Sequence, residues 1–73
     1  MNTIKVTYQN PLSLAQNSIR YFVSGGQHVV VHDMHCGEDI APNPYRFSTI
    51  DEARIMWIVL KARIVARGYT KLV

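Results

Sequence analysis

Apolar positions along this chain follow two different periods. Between Thr3 and Asp33 they largely alternate with polar ones, whereas from Thr49 to Arg67 they recur every three or four residues. A period of two belongs to a strand with one face buried and a period near 3.6 to an α-helix, so the pattern predicts sheet first and helix last.

Thr3 to Tyr8 predicts a strand with Ile4, Val6 and Tyr8 on one face and Thr3, Lys5 and Thr7 on the other. Asn10-Pro11 ends it, and Pro11 to Ser18 reads as a loop or as one helical turn around Leu12, Leu14 and Ala15. Ser18 to Val23 and Gln27 to Asp33 then predict a hairpin across Ser24-Gly25-Gly26, whose glycines supply positive φ without steric cost. In its first arm Tyr21 and Val23 share a face opposite Arg20 and Phe22; in its second, Val29 and Val31 oppose His28, Val30 and His32. The simpler assignment turns the valines inward and the histidines outward. Cys36 to Arg46, with Gly37, Glu38-Asp39 and Pro42-Asn43-Pro44, predicts a loop; Tyr45 to Phe47 reads as a short strand or as the lead into the helix.

The helix is marked at both ends. Thr49 with Glu52 forms a capping box, Asp51 and Glu52 complement the positive end of the helix dipole, and Gly68 stands where a left-handed cap ends the helix. Between these marks lie two apolar stripes. Ala53, Trp57, Leu60 and Ile64, with Ile50 at the edge, form the first; Ile55, Val59, Ala62 and Ala66 form the second, about 160° to 180° away at 100° per residue. The first carries the bulk, including the only Trp, and is assigned to the domain's own core. The second either lies under the long loops or meets a partner, and its paired alanines suit the close approach of another helix.

After Gly68, Tyr69 to Val73 adds an optional edge strand. The expected fold is α+β: a small antiparallel sheet (β-β-β, with an optional fourth edge strand) packed on one long C-terminal α-helix. Residues 1–73 form a single domain.

Composition changes this picture in three ways. At 73 residues one core gives marginal stability, about 3 to 5 kcal/mol, so a supporting metal or oligomerisation is expected. A single cysteine, Cys36, excludes an intrachain disulfide and fits a reducing compartment; with no signal-peptide apolar region in Met1 to Tyr8, the expected location is cytoplasmic. The uninterrupted apolar run Ile55 to Leu60 lies between Arg54 and Lys61 and is far shorter than the ~20 residues of a bilayer crossing, so no membrane partner is expected.

Candidate chemistry is sparse. His32, His35 and Cys36 are weak metal candidates, since imidazole and thiolate bind zinc, and they converge only if the chain bends at Met34. His28 is too far along an extended strand to join them. Cys36 beside His35 does not make a nucleophile and base, because neighbours on extended backbone point to opposite faces. No Gly-rich phosphate loop precedes a helix, and Asp51 and Glu52 are accounted for by capping. The protein is therefore expected to be no enzyme and to need no cofactor.

Five of the eight basic residues, Arg54, Lys61, Arg63, Arg67 and Lys71, fall in the last twenty positions, and a net charge of +3 is permissive for nucleic acid. The run from Phe47 through Glu52-Ala53, Lys61 and Gly68-Tyr69 resembles the closing segment of several small sheet-plus-helix families, including the DNA-binding WGR domains. It covers a third of the chain, and the Trp-Gly-Arg signature is absent, its nearest counterpart being His35-Cys36-Gly37-Glu38.

The function expected from these readings is a small non-enzymatic protein-interaction module, homodimeric through its long helix, with Ile55, Val59, Ala62 and Ala66 as the contact residues. It would bind and modulate another protein target, in the manner of phage or mobile-element inhibitors of host proteins. The alternative is a small basic nucleic-acid-binding protein using Arg54, Lys61, Arg63, Arg67 and Lys71.

Overall fold

The computed structural model of the chain describes residues 3–35 and 43–72. Residues 36–42 of the predicted loop Cys36 to Arg46, and Val73 at the end of the optional strand, lie outside the described residues. Six elements follow in order: β1 (Ile4–Gln9), β2 (Gln16–Ser24), β3 (Gln27–His35), β4 (Asn43–Phe47), α1 (Ile50–Ala66) and β5 (Thr70–Lys71). The strands make one five-stranded antiparallel sheet in the order β4-β3-β2-β1-β5, with α1 on one face. The fold is thus the expected α+β arrangement, and both optional strands, around Tyr45–Phe47 and after Gly68, are present.

Both local connections are built from their residues. Asn10 Oδ1 accepts from the backbone N–H groups of Leu12 and Ser13 at 2.9 and 3.1 Å, and Leu14 N–H donates to the Asn10 carbonyl at 2.9 Å. The β1–β2 connection is therefore an Asn-stapled turn, closed by Leu14 at a positive φ of 63°. In the β2–β3 hairpin Gly25 and Gly26 take φ values of 58° and 75°, a conformation that explains why two glycines stand there.

β4 takes Asn43 to Arg46, the last four residues of what reads as loop. Pro44 lacks the N–H that an interior strand would need, and β4 is accordingly at the sheet's edge, pairing only with β3. α1 is capped as its punctuation requires: the Thr49 side chain accepts from Glu52 N–H at 3.3 Å and donates to Glu52 Oε1 at 2.9 Å. Arg67 is the C-cap, and Gly68 follows with φ 86°.

Pairing register decides which strand face meets the helix. Tyr21 opposes Val30 and Ile19 opposes His32, so His28, Val30 and His32 lie on the helix side and Val29 and Val31 on the other. This corrects the assignment of valines inward and histidines outward: alternation groups these residues properly but cannot say which group faces the core. Both histidines are accommodated by hydrogen bonds, His28 Nδ1 with the Tyr21 hydroxyl at 2.7 Å and His32 Nε2 with Asn17 Oδ1 at 2.7 Å. Val29 and Val31 are buried on the opposite face, flanked in register by Phe22 and Arg46 and by Arg20 and Pro44. That face also carries the Arg20–Asp33 ion pair at 2.8 Å and the Thr7–Ser18 hydroxyl contact at 3.0 Å.

The core joins Tyr8, Ile19 and Val30 of the sheet to Ala53, Leu60 and Ile64 of the helix, with Trp57, Met56, Tyr45 and Phe47 packed around them. Full burial of each large apolar side chain contributes about 1.5–3 kcal/mol. α1 leaves β4 at the hairpin end of the sheet, where Phe47 opposes His28, and reaches β5 at the far end of β1, where Lys71 opposes Tyr8. It packs over β2, β3 and β4. The first half of β1 lies beside that footprint.

Candidate protein-interaction surface

With Ala53, Leu60 and Ile64 fixed as the inward row, the outward direction of α1 is set by helical arithmetic. Ile55, Ile58 and Val65 point there and are 63%, 58% and 50% exposed, with Ala62 and Ala66 exposed between and beside them. The second apolar stripe is therefore at the surface, and no described strand or loop covers it. Its membership differs from the expected Ile55, Val59, Ala62 and Ala66. Ile55, Ala62 and Ala66 are exposed as expected, but Val59 turns partly inward and is half-buried, while Ile58 and Val65, absent from the predicted set, extend the exposed face toward the Arg54–Lys61 edge. The signal was present: the direction opposite the core row falls on Ala62, with Ile55 and Ile58 to either side, and a series of i, i+3, i+7, i+10 from Ile55 follows that face.

The polar borders of the stripe are unlike each other. Arg54 and Lys61, seven positions apart, share one edge; Glu52 and Arg63 lie along the other. Arg63 is nine positions from Arg54 and thus about half a turn around the helix from it. Arg67 is the C-cap, close enough to His32 to disfavour its protonated form, and Lys71 is in β5 opposite Tyr8. The five basic residues of the nucleic-acid reading are thus spread over two helix edges, a helix end and a strand, and do not form a single patch.

Beside the basic edge lies a cleft of about 220 Å³ between α1 and the start of β1, lined by Ile4, Tyr21, Ile50, Ala53, Arg54 and Trp57. It exists because the helix sits over β2 to β4: Ile4, at 59% exposure, faces a helix flank across a gap that nothing in the described chain fills. The Tyr21 ring is fixed by its hydroxyl's bond to His28 and by stacking on that imidazole, with centroids 6.0 Å apart. Ile4 and Ile50 look like ordinary strand and helix-edge residues in the sequence. Their shared exposure follows from where the helix lands, which no local pattern encodes.

Of the weak metal candidates, only the His32 side chain lies among the described residues. β3 continues through Met34 to His35 without the bend that convergence requires, His32 Nε2 is bonded to Asn17, and Cys36 is outside the described residues. Among the described residues no group of three or more His, Cys, Asp or Glu side chains is placed to hold a metal ion. Among them, too, no helix is long and apolar enough to cross a membrane. No protein-family model, curated protein or solved structure matches the chain.

Proposed function

We propose that this protein is a non-enzymatic interaction module that self-associates through the outer face of α1 and, in that form, binds and modulates another protein. The single observation carrying the reading is the exposed row Ile55, Ile58, Ala62, Val65 on the side of the helix opposite its core row. A contiguous apolar face on a small domain marks an interaction surface.

The spacing of that row favours a second copy. Its intervals are three, four and three, which read the same in both directions. A two-fold axis between antiparallel helices therefore sets Ile55 against the partner's Val65 and Ile58 against the partner's Ala62, a large residue against a smaller one each time. The same arrangement places helix dipoles head to tail. A 17-residue helix offers a contact about 25 Å long, which falls at the small end of specific interfaces, so the dimer is expected in the micromolar range.

Sedimentation equilibrium tests this directly. The wild-type chain should move from monomer to dimer over micromolar concentrations, and Ile58→Glu or Ala62→Glu should hold it monomeric with an unchanged far-ultraviolet circular dichroism spectrum. A wild-type protein that stays monomeric, or a dimer indifferent to both substitutions, refutes the reading.

A further inference from the structure

The cleft between α1 and β1 lies to one side of the outer row and shares none of its apolar residues. We propose that it anchors an acidic amphipathic helix of a second, different protein, one large apolar side chain entering the cleft and two carboxylates meeting Arg54 and Lys61. This deepens the reading of an interaction module by naming the class of target, and it uses no residue of the self-association row.

Size argues for an anchor in place of a small-molecule pocket. Sites that enclose small ligands are typically about 300–1,000 Å³, whereas a cleft of about 220 Å³ accommodates one large side chain. Such pockets, filled by a single aromatic or aliphatic residue, carry most of the energy of many interfaces. The walls are suited to it: Ile4 and Ile50 are exposed, Trp57 is half-buried, and Ala53 leaves depth between them.

Charge selects the occupant. Arg54 borders the cleft and Lys61 continues the same edge two helical turns on, about 10.5 Å along the axis. Among the described residues no carboxylate pairs with either; the ion pair present, Arg20–Asp33, is on the opposite sheet face. A second copy is a poor occupant, because α1 carries only Asp51 and Glu52, adjacent in its first turn, and no two carboxylates seven positions apart. An α-helix with carboxylates seven positions apart repeats the 10.5 Å spacing, and a residue between them projects toward the cleft. Nucleic acid would satisfy the cations and leave the apolar walls bare.

Trp57, the only tryptophan, lies in the cleft and reports on it by fluorescence. The probe is a capped peptide about four helical turns long with Phe as anchor, Glu three positions before it and four after, compared with the same peptide carrying Lys for Glu. The acidic peptide should shift Trp57 emission saturably and more weakly as salt rises; the basic one should not. Arg54→Glu and Ile4→Glu, both at exposed positions, should each weaken binding at least about tenfold. Should Ile4→Glu fail to fold, Arg54→Ala and Arg54→Glu carry the test. Ala62→Glu, a quarter turn away from the Arg54–Lys61 edge, should bind the peptide like wild type, so failure of the dimer and failure of this site are separate results.

The proposal falls if both peptides bind alike, if the acidic peptide gives no shift up to about 1 mM, or if Arg54→Glu binds undiminished. It falls equally if octanoate saturates the same emission shift and displaces the peptide, which would make the cleft a site for small carboxylates.

Discussion

His32 shows how a polar residue is tolerated on the helix side of the sheet. Its Nε2 donates to the Oδ1 of Asn17, itself buried, at 2.7 Å. Burial lowers the imidazole pKa below its ordinary value; the carboxylate of Asp33 acts against this and the guanidinium of Arg67 acts with it. The folded state therefore holds its proton less tightly than the unfolded state does. Stability from this residue is complete above the unfolded pKa of about 6.5 and is lost as pH falls toward the folded one, where the unfolded chain binds more protons. The urea midpoint should accordingly drop between pH 7.5 and pH 5.5, before carboxylates titrate, and His32→Gln should flatten that change. An equal drop in the variant would assign the pH dependence elsewhere.

At the scale of elements, the helix start is the most local feature of the fold and the easiest to isolate. Thr49 and Glu52 exchange hydrogen bonds at the first turn, and Ser48 adds a third to Glu52 Oε1 at 3.2 Å, all of them exposed. Thr49→Ala removes the cap without opening the core and should cost about 1 kcal/mol. For a domain of this size that lowers the melting temperature by about 4–8 °C, measurable by circular dichroism. Thr49→Ser, which keeps the oxygen, should recover most of the loss.

The same contrast between local and non-local causes explains what could be read from the sequence. Caps, the Gly25-Gly26 hairpin and the inward row Ala53, Leu60, Ile64 depend on neighbours within a few residues, and they stand where the pattern puts them. The burial of both valine sets in β3 depends on register with two other strands, so alternation alone pointed the wrong group at the helix. β4 was legible only at Tyr45 to Phe47, and there as one of two readings, because Pro44 argues against a strand unless that strand is known to be an edge, and edge status is a property of the sheet. Leu14 is a residue whose positive φ is dictated by the Asn10 turn around it and by nothing in its own chemistry. For the candidate site, the presence of a second apolar stripe was legible, its extension to Ile58 and Val65 only partly so. The cleft was not legible at all, since Ile4 and Trp57 meet only through the placement of α1.

On the scale of the whole molecule, a single small core and an uncovered helix face bear on one quantity, the stability of the folded chain. Association that involves only the folded state stabilises it by mass action, so a dimeric domain melts at a temperature that depends on its own concentration. With a dissociation constant in the micromolar range, a hundredfold rise in concentration through that range should add on the order of 1–2 kcal/mol per chain. That corresponds to a rise of roughly 5–10 °C in a domain of 73 residues. Ile58→Glu removes the apolar centre of the contact at a position already 58% exposed, so its monomer should fold yet melt at one temperature throughout. Ile4→Glu alters the cleft and leaves the outer row intact, so it should keep the concentration dependence. Calorimetric scans of the three proteins at both concentrations separate the effects. If the wild-type melting temperature does not move with concentration, the outer face of α1 is not joining two copies, whatever its exposure.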